Sequence, residues 1–208
     1  MTDASAAQPG SRGAYAKSAA RRRELVEAAT VLFGRTGYRG ATMLQIAEAC
    51  NISRTGLLHH FPTKESLLEA VLQARDESDA RRMADAGDPD DARTALRNLV
   101  ALVEHNTTIP AILNLFSVLA AEAADPSHPA HTYFVRRYVN SRRNIQDSFE
   151  RARDEGILAP DLDPAVFTIE LISLMDGLQV QWLLDPTHVD MVAIVDSRIR
   201  SALTVSLD

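Results

Sequence analysis

The sequence has little cysteine and no long apolar run. Cys50 is the single cysteine among 208 residues, so no intramolecular disulfide can form, which fits a reducing compartment. No apolar stretch reaches the roughly 20 residues that a membrane-spanning helix needs. The first residues, MTDASAAQPGSRGAYAKS, contain no apolar segment typical of a secretion signal. We therefore expect a cytoplasmic protein that makes no membrane contact, and we interpret residues 1–18 as a disordered tail.

The motifs of the common enzyme classes are also missing. The sequence contains no nucleophile elbow, no glycine-rich phosphate loop and no paired-acid site. His128 and His131 are close to one helical turn apart, but no nearby trio of carboxylates or cysteines completes a metal site. We expect no enzyme activity, no metal and no cofactor, and a helical enzyme or sensor is kept only as a remote alternative.

Charge is distributed unevenly along the chain. The formal net charge is -6, yet residues 1–66 carry 9 Lys and Arg against 5 Asp and Glu. Residues 67–208 carry 13 basic and 23 acidic side chains. A basic segment ahead of an acidic body means that one end of the protein can meet phosphate groups while the other cannot.

Apolar residues recur mostly with the period of an α-helix, and strict alternation of apolar and polar residues is scarce. Glycine and proline fall mainly between the periodic stretches, where they end helices. The pattern predicts an all-α protein with about nine helices. They cover about residues 19–36, 42–49, 53–60, 64–84, 91–107, 110–124, 130–155, 164–184 and 188–205.

Two short helices near the N-terminus are the most informative feature. Thr42 and Gln45 have capping-box spacing, Ser53 can cap the next helix, and Pro62 prevents that helix from continuing. Two short helices joined by a tight turn behind a longer helix form a helix-turn-helix, whose second helix enters the major groove of DNA. We therefore interpret residues 19–66 as a DNA-binding domain and residues 67–208 as a second domain.

The candidate DNA contacts are the exposed polar residues of this motif, a glycine that permits close backbone approach, and nearby aromatic, apolar and basic side chains. They are Arg22, Tyr38, Thr42, Ser53, Arg54, Thr55, Gly56, Leu58, His59, His60, Thr63 and Lys64. In the same motif, Leu57 and Phe61 are expected to hold the recognition helix to the core.

The run TMLQIAEACNISRTGLLHHFPTKESLLEAVL resembles the DNA-binding domain of the TetR-like repressor family, and the preceding ELVEAATVLFGRTGYRGAT resembles that family's first helix. Cys50 replaces the usual glycine of the turn, and Leu58 stands where an aromatic residue is common. The segments AEAADPSHPAH and MDGLQVQWLLDP are similar to later parts of one branch of the family. The resemblance implies a homodimer that binds a near-palindromic operator on double-stranded DNA and is released by a small molecule.

The resemblance also implies a dimer interface and an effector pocket in the C-terminal domain. The eighth predicted helix is apolar on nearly all sides, so we expect one side to face a partner subunit. The predicted interface residues are Leu171, Leu174, Leu178, Trp182, Val192, Val195, Ile199 and Leu203. The predicted pocket residues, a mainly apolar set that suggests a lipophilic effector, are Leu99, Val103, Asn106, Phe116, Leu119, Phe134, Tyr138, Met175, Gln179 and Trp182.

Two readings of regulation stay open at this stage. In the first, a small effector releases a repressor from its operator. In the second, the DNA-binding regulator has no small-molecule effector and is controlled by a partner or acts as an activator. A filled C-terminal core would favour the second reading.

Overall fold

The computed structural model describes residues 10–85 and 91–207, and these ranges contain nine α-helices and no β-strand. The predicted all-α class is therefore confirmed. The helices are α1 (Gly10–Gly40), α2 (Met43–Ala49), α3 (Arg54–His60), α4 (Lys64–Asp85), α5 (Ala92–Thr107), α6 (Pro110–Glu122), α7 (His131–Asp154), α8 (Pro164–Leu184) and α9 (Met191–Arg200).

Helix α1 starts earlier than the sequence pattern suggested. It begins at Gly10, so residues 10–18 of the predicted disordered tail are helical, whereas residues 1–9 lie outside the described part of the chain. The reason is local: after Pro9 no helix-breaking proline occurs, and alanine is frequent. At its other end, Gly37 interrupts the helix with a φ of 73°, which confirms that this glycine ends the regular helix.

Helix α9 is shorter than predicted. Asp190 caps its first turn by accepting a hydrogen bond from Ala193 N–H, and the helix ends at Arg200. The residues that follow pair with the segment after α7: Thr204 N–H donates to Ile157 C=O at 2.8 Å, and Ala159 N–H donates to Ala202 C=O at 2.8 Å. The backbone groups of residues 202–204 therefore bond to the segment after α7. Apolar periodicity alone does not predict such a tertiary contact.

The core consists of two hydrophobic clusters. The first joins α1–α4 to α6 and the start of α7, with Leu25, Phe33, Leu57 and Leu115 fully buried. The second joins α5, α7, α8 and α9 and includes the fully buried Phe149. Because the first cluster includes side chains from both sides of residue 66, α4 and α6 connect the two predicted domains through a shared core.

The end of α1 is fixed firmly against α6. A Cβ atom at Gly34 would lie 3.1 Å from the Leu115 backbone nitrogen, so a larger residue would force α1 and α6 apart by a few tenths of an ångström. Asn114 Nδ2 donates to Gly34 C=O at 2.6 Å, and Tyr38 N–H donates to Glu122 at 2.8 Å. These contacts tie the N-terminal helices directly to the C-terminal part of the chain.

Among the described residues, no single helix is both long and apolar enough to cross a membrane. Helices α5 and α6 reach the required length and composition only when they are taken together, and the chain bends by 99° between them.

Candidate nucleic-acid interface

The turn between α2 and α3 is built as the sequence predicted. Thr42 and Gln45 form a complete capping box at the start of α2. At the end of α2, Asn51 adopts a φ of 53°, a conformation that asparagine tolerates better than most residues. The half-buried Cys50 thiol lies 3.8 Å from Glu24 C=O, and burial raises its pKa. The cysteine therefore packs the turn against α1.

Helix α3 has a buried side and an exposed side. Ser53 caps it by accepting a hydrogen bond from Gly56 N–H at 3.0 Å. Leu57 and Phe61 are buried in the first cluster, which confirms that they anchor the helix. The side facing solvent carries Arg54, Thr55 and His59, while Leu58 and His60 are half-buried. The first turn of α3 therefore presents polar side chains on a rigid base.

Gly56 lies on this first turn and is not crowded by its own chain. A Cβ atom at this position would meet Ser53 Oγ at 3.4 Å and Ile52 Cβ at 3.8 Å, both ordinary contact distances. The fold therefore does not require a glycine here. A requirement imposed by something outside the chain, such as a closely approaching DNA backbone, stays a prediction.

The start of α4 is held by a reciprocal cap. Ser66 N–H donates to Thr63 Oγ at 3.0 Å, and Thr63 N–H donates to Ser66 Oγ at 3.2 Å. The Lys64 ammonium donates to the carbonyl groups of Tyr38 and Ala41 at 2.9 and 3.1 Å. Lys64, which we expected to contact phosphate, is thus used to join the start of α4 to the end of α1.

Tyr38 does not present a free hydroxyl at the surface. Its side chain is 5% exposed, and the hydroxyl donates to Glu65 at 2.8 Å. Burial and the neighbouring carboxylate raise the pKa of Tyr38, and the Lys64 ammonium lies 4.3 Å from the ring centre. The prediction of a direct DNA contact is therefore corrected. Tyr38, near the end of α1, packs against the start of α4 because its large ring fills the core there.

Arg22 is likewise engaged within the chain. Its guanidinium lies over the Phe61 ring and donates to the carbonyl of His60 at 2.9 Å. Arg22 therefore fastens the C-terminal end of α3 to α1. Of the remaining candidates, Thr42, Ser53 and Thr63 are exposed caps, whereas Tyr38 is the buried member of the predicted set.

Four of the eight predicted dimer residues are buried within a single chain. Leu171, Leu178, Val195 and Ile199 are at most 6% exposed within a single chain. They form the second cluster and cannot also present a contact surface. The other four, Leu174, Trp182, Val192 and Leu203, are half-buried and pack against the same cluster. Apolar periodicity does not separate the buried side of α8 from its exposed side, because both sides are apolar.

A different face of α8 and α9 is apolar and exposed. Its large members are Val166, Ile169, Val180, Leu184 and Ile194, which are 40–81% exposed. The α8 members follow helical spacing along one side of the helix, which also carries the exposed Gly177, where an added Cβ would meet no atom within 4 Å. We call these five residues the α8–α9 face.

The predicted pocket residues divide between the two core clusters. Phe116, Leu119, Phe134 and Tyr138 belong to or pack against the first, whereas Leu99, Val103, Met175 and Trp182 belong to or pack against the second. An open depression of about 470 Å³ lies elsewhere, between α1 and the end of α2, and none of the ten residues lines it. The candidates therefore do not form one hydrophobic cluster, and a common site lined by them stays a prediction.

The polar candidates have defined partners. Gln179 Nε2 donates to Ser117 Oγ at 2.7 Å. The Tyr138 hydroxyl donates to Asp176 at 2.8 Å. Burial and the carboxylate raise the pKa of Tyr138 to about 12, and burial raises the pKa of Asp176.

Asn106 leads to a charged cluster that our sequence reasoning missed. Its amide oxygen accepts a 3.0 Å hydrogen bond from Arg75, a buried arginine on α4. We call this group the Arg75 cluster; its members are Arg75, Asp76, Asp79, Arg82, His105, Asn106, Tyr133 and Arg137. A signal existed in the sequence: Arg75, Asp79 and Arg82 continue, at helical spacing, the buried stripe formed by Leu68 and Leu72.

Comparisons with known proteins agree with this architecture. The sequence profile described as "Bacterial regulatory proteins, tetR family" matches residues 25–71, and that described as "BetI-type transcriptional repressor, C-terminal" matches residues 116–204. The chain is 29% identical over 161 residues to the HTH-type transcriptional repressor AcnR of Corynebacterium diphtheriae, covering 76% of this chain and 78% of that one. It is 24% identical over 187 residues to the HTH-type transcriptional regulator TtgR of Pseudomonas putida, covering 88% and 89%.

Solved structures show the same fold. A TetR-family regulator from Agrobacterium tumefaciens superimposes with a TM-score of 0.74 at 17% identity, over 90% of this chain and 100% of that one. A transcriptional regulator from Saccharomonospora viridis in complex with choline gives 0.70 at 22% identity, over 86% and 93%. The two profiles together span more than half of the sequence, and the relatives are regulators rather than enzymes, so the chain belongs to the TetR family of DNA-binding transcriptional regulators.

Proposed function

We propose that the protein is a homodimeric repressor that binds a palindromic operator and leaves it when a small effector binds the C-terminal domain. The observation that carries the proposal is the two-sided α3: Arg54 and Thr55 are exposed on its first turn, while Leu57 and Phe61 anchor it in the core. An anchored helix with an exposed polar first turn suits insertion into the major groove. Arginine paired with guanine is the commonest specific contact, so Arg54 is our principal base-reading residue.

The exposed α8–α9 face supports dimerisation. Exposed apolar side chains aligned along one helix are costly in water, and a second copy of the same face would cover them. The glycine at 177 allows a partner helix to approach closely. A symmetric dimer would set the two α3 helices about one DNA turn apart, roughly 34 Å, and this matches a palindromic site.

The course of α4 supports effector control. This single helix starts beside the recognition helix at Lys64 and continues to the buried Arg75 in the C-terminal domain. A ligand that shifts α4 would move the two recognition helices relative to each other and thereby weaken binding to both half-sites at once. The choline complex of the Saccharomonospora viridis regulator supports the idea that proteins of this fold hold small molecules.

The test is a fluorescence-anisotropy titration of the full-length protein on the DNA upstream of its own gene, at several salt concentrations. We expect tight binding that weakens steeply with salt, because cationic side chains displace counterions from phosphate. Arg54→Ala should weaken operator binding by about 1–3 kcal/mol if the arginine reads a base. Arg35→Ala, at an exposed position on α1, is the matched control and should change binding little.

Equal affinity for that DNA and for random DNA at every salt concentration would count against this operator. Unchanged operator binding by the Arg54→Ala variant would show that Arg54 on α3 does not read a base as we propose. If the operator is bound but neither cell extract nor any small molecule releases it, the regulator without an effector becomes the better reading. Leu119 is completely buried and Val103 almost completely buried. Such a filled core favours the regulator without an effector.

A further inference from the structure

Three arginines, Arg75, Arg82 and Arg137, lie close together in the C-terminal domain. Arg75 pairs with Asp79 at 3.1 Å, and Arg137 lies 3.4 and 3.5 Å from Asp79 and Asp76. Within the described residues, the partner of Arg82 is not an acid but His105, 2.7 Å away. Arg137 also interacts electrostatically with the Asp176 carboxylate, so among the described contacts only Arg82 of the three guanidinium groups faces no carboxylate.

Arg75 is the most deeply buried of the three arginines. Its side chain is only 6% exposed. One nitrogen, Nη2, serves both Asn106 and Asp79, whereas the buried Nε–H has no hydrogen-bond partner among the described residues. An unpartnered donor on a buried cation is costly, because it has lost water and gained nothing in exchange. An acceptor from outside the chain would remove that cost.

Two of the guanidinium groups converge on one turn of α5. Arg75 and Arg82 are seven residues apart on α4, yet they bond to the neighbouring residues Asn106 and His105. Arginine can only donate, so His105 must accept at Nε2 and be neutral there. Burial and the nearby arginines lower the pKa of His105, and this keeps it neutral. The donors of Arg82 are therefore opposed by no negative charge among the described contacts.

Aromatic rings also adjoin the cluster. The Phe116 ring centre is 4.7 Å from the Arg137 guanidinium and 5.9 Å from that of Arg75. Phe134 and Tyr133 pack against Phe116, with ring centres 5.6 and 6.3 Å away. A ligand held by the arginines would thus have an apolar, aromatic wall beside its charged end.

From this arrangement we propose that the Arg75 cluster binds the carboxylate of a small organic acid with an apolar or aromatic body. Arg75 Nε and Arg82 bind the carboxylate, and the body packs against Phe116. The inference rests on the proposed function, because it names the class of the effector. It also replaces the merely lipophilic effector that the apolar residues suggested, since a carboxylate can both accept from Arg75 Nε and balance the charge of Arg82, whereas a cation can do neither.

The experiment compares three probes that share a phenyl ring but differ in charge: benzoate, benzyl alcohol and benzyltrimethylammonium. Each is added to the full-length protein at matched ionic strength. Hexanoate serves as a second carboxylate. Thermal unfolding reports binding directly, and operator anisotropy reports regulation. We expect benzoate or hexanoate to raise the Tm and to weaken operator binding, and the alcohol and the ammonium probe to do neither.

Two variants on α4 separate the site from general charge. Arg82→Gln should weaken carboxylate binding about tenfold, since it removes charge-assisted hydrogen bonds. Arg81→Gln is the matched control: it changes the same charge one residue away, on an exposed side chain, and should keep affinity within about twofold. Arg75→Lys, which keeps the charge but lacks Nε–H, should also weaken binding, provided that its circular dichroism matches that of the parent.

Different results would overturn the anion site and the effector-controlled repressor. Binding of the ammonium probe in place of the carboxylates, equal effects of Arg82→Gln and Arg81→Gln, or no carboxylate binding at about 10 mM would overturn the anion site. If a cation releases the operator, the effector-controlled repressor stands and this inference falls. If carboxylate binds through Arg82 while operator affinity is unchanged, the site stands and effector control falls.

Discussion

The guanidinium carbon of Arg22 lies 4.1 Å from the centre of the Phe61 ring. Arg22 also donates to the carbonyl of His60, the last residue of α3. A basic residue ahead of a DNA-binding motif invites the interpretation of a phosphate contact, but here it satisfies a helix C-terminus and covers an aromatic ring. Arg22 therefore positions the recognition helix from behind.

Replacing Arg22 by glutamine should loosen that helix. We expect the Tm to fall by a few degrees, corresponding to about 1 kcal/mol for a cation–π contact and its hydrogen bond near the surface. Operator affinity should fall with it. Arg23→Gln, at the exposed neighbouring position, is the control and should leave the Tm unchanged. If both variants lower affinity equally without any change in Tm, Arg22 acts on DNA through its charge alone.

Gly56→Ala separates folding from DNA binding. Because an added Cβ meets only ordinary contacts inside the chain, and because alanine favours a helix over glycine, the variant should be as stable as the parent or more so, by up to about 1 kcal/mol. Operator binding should nevertheless weaken if the DNA approaches the backbone at this point. Thermal unfolding and anisotropy on the same samples test both halves. Unimpaired operator binding would contradict a close approach at Gly56.

Val180→Glu should dissociate the proposed dimer. Val180 is 48% exposed at the middle of the α8–α9 face, so a charge there would be buried without a partner in a dimer but would be harmless in a monomer. We expect light scattering to give about half the parent mass at micromolar concentration. Val31→Glu makes the same change at a site that is 45% exposed on α1, and it should leave the mass unchanged. A dimeric Val180→Glu protein would remove the α8–α9 face as the interface.

Acid should destabilise the protein through His128. Its Nδ1 accepts a hydrogen bond from Ala130 N–H, so a proton there would put two donors face to face. Burial lowers the pKa of His128 in the folded state, although Glu122 lies nearby. The unfolded chain therefore binds more protons, so stability present above a pH of about 6.5 is lost as the pH falls below that value.

The measurement is the Tm between pH 7.5 and 5.5. His128→Asn, whose amide oxygen can still accept from Ala130, should show a smaller loss than the parent. The difference should be on the order of 1 kcal/mol for each unit by which the pKa is lowered. Some loss should remain, because the pKa of His105 is lowered too. His59→Asn, on the exposed side of α3, should behave like the parent; an identical loss in all three proteins would rule out His128 as a source.

The sequence by itself determined the local elements. The Thr42 and Ser53 caps, the break at Gly37 and the start of α8 at Pro164 depend on neighbouring residues and backbone stereochemistry, so they could be predicted and are confirmed. The two-sided α3 followed in the same way, because the spacing of Leu57 and Phe61 places both on one side of a helix.

Only the tertiary structure decided how similar side chains divide their roles. On α8, apolar residues occur on every side, so periodicity could not separate the buried Leu171 from the exposed Ile169. Likewise, a basic residue gives no local sign of its partner: Lys64 and Arg22 bond to carbonyl groups more than 20 positions away. Arg75 became buried because α4 carries its core-facing stripe past the last leucine, and only the packing of α5 and α7 against it assembles the charged cluster.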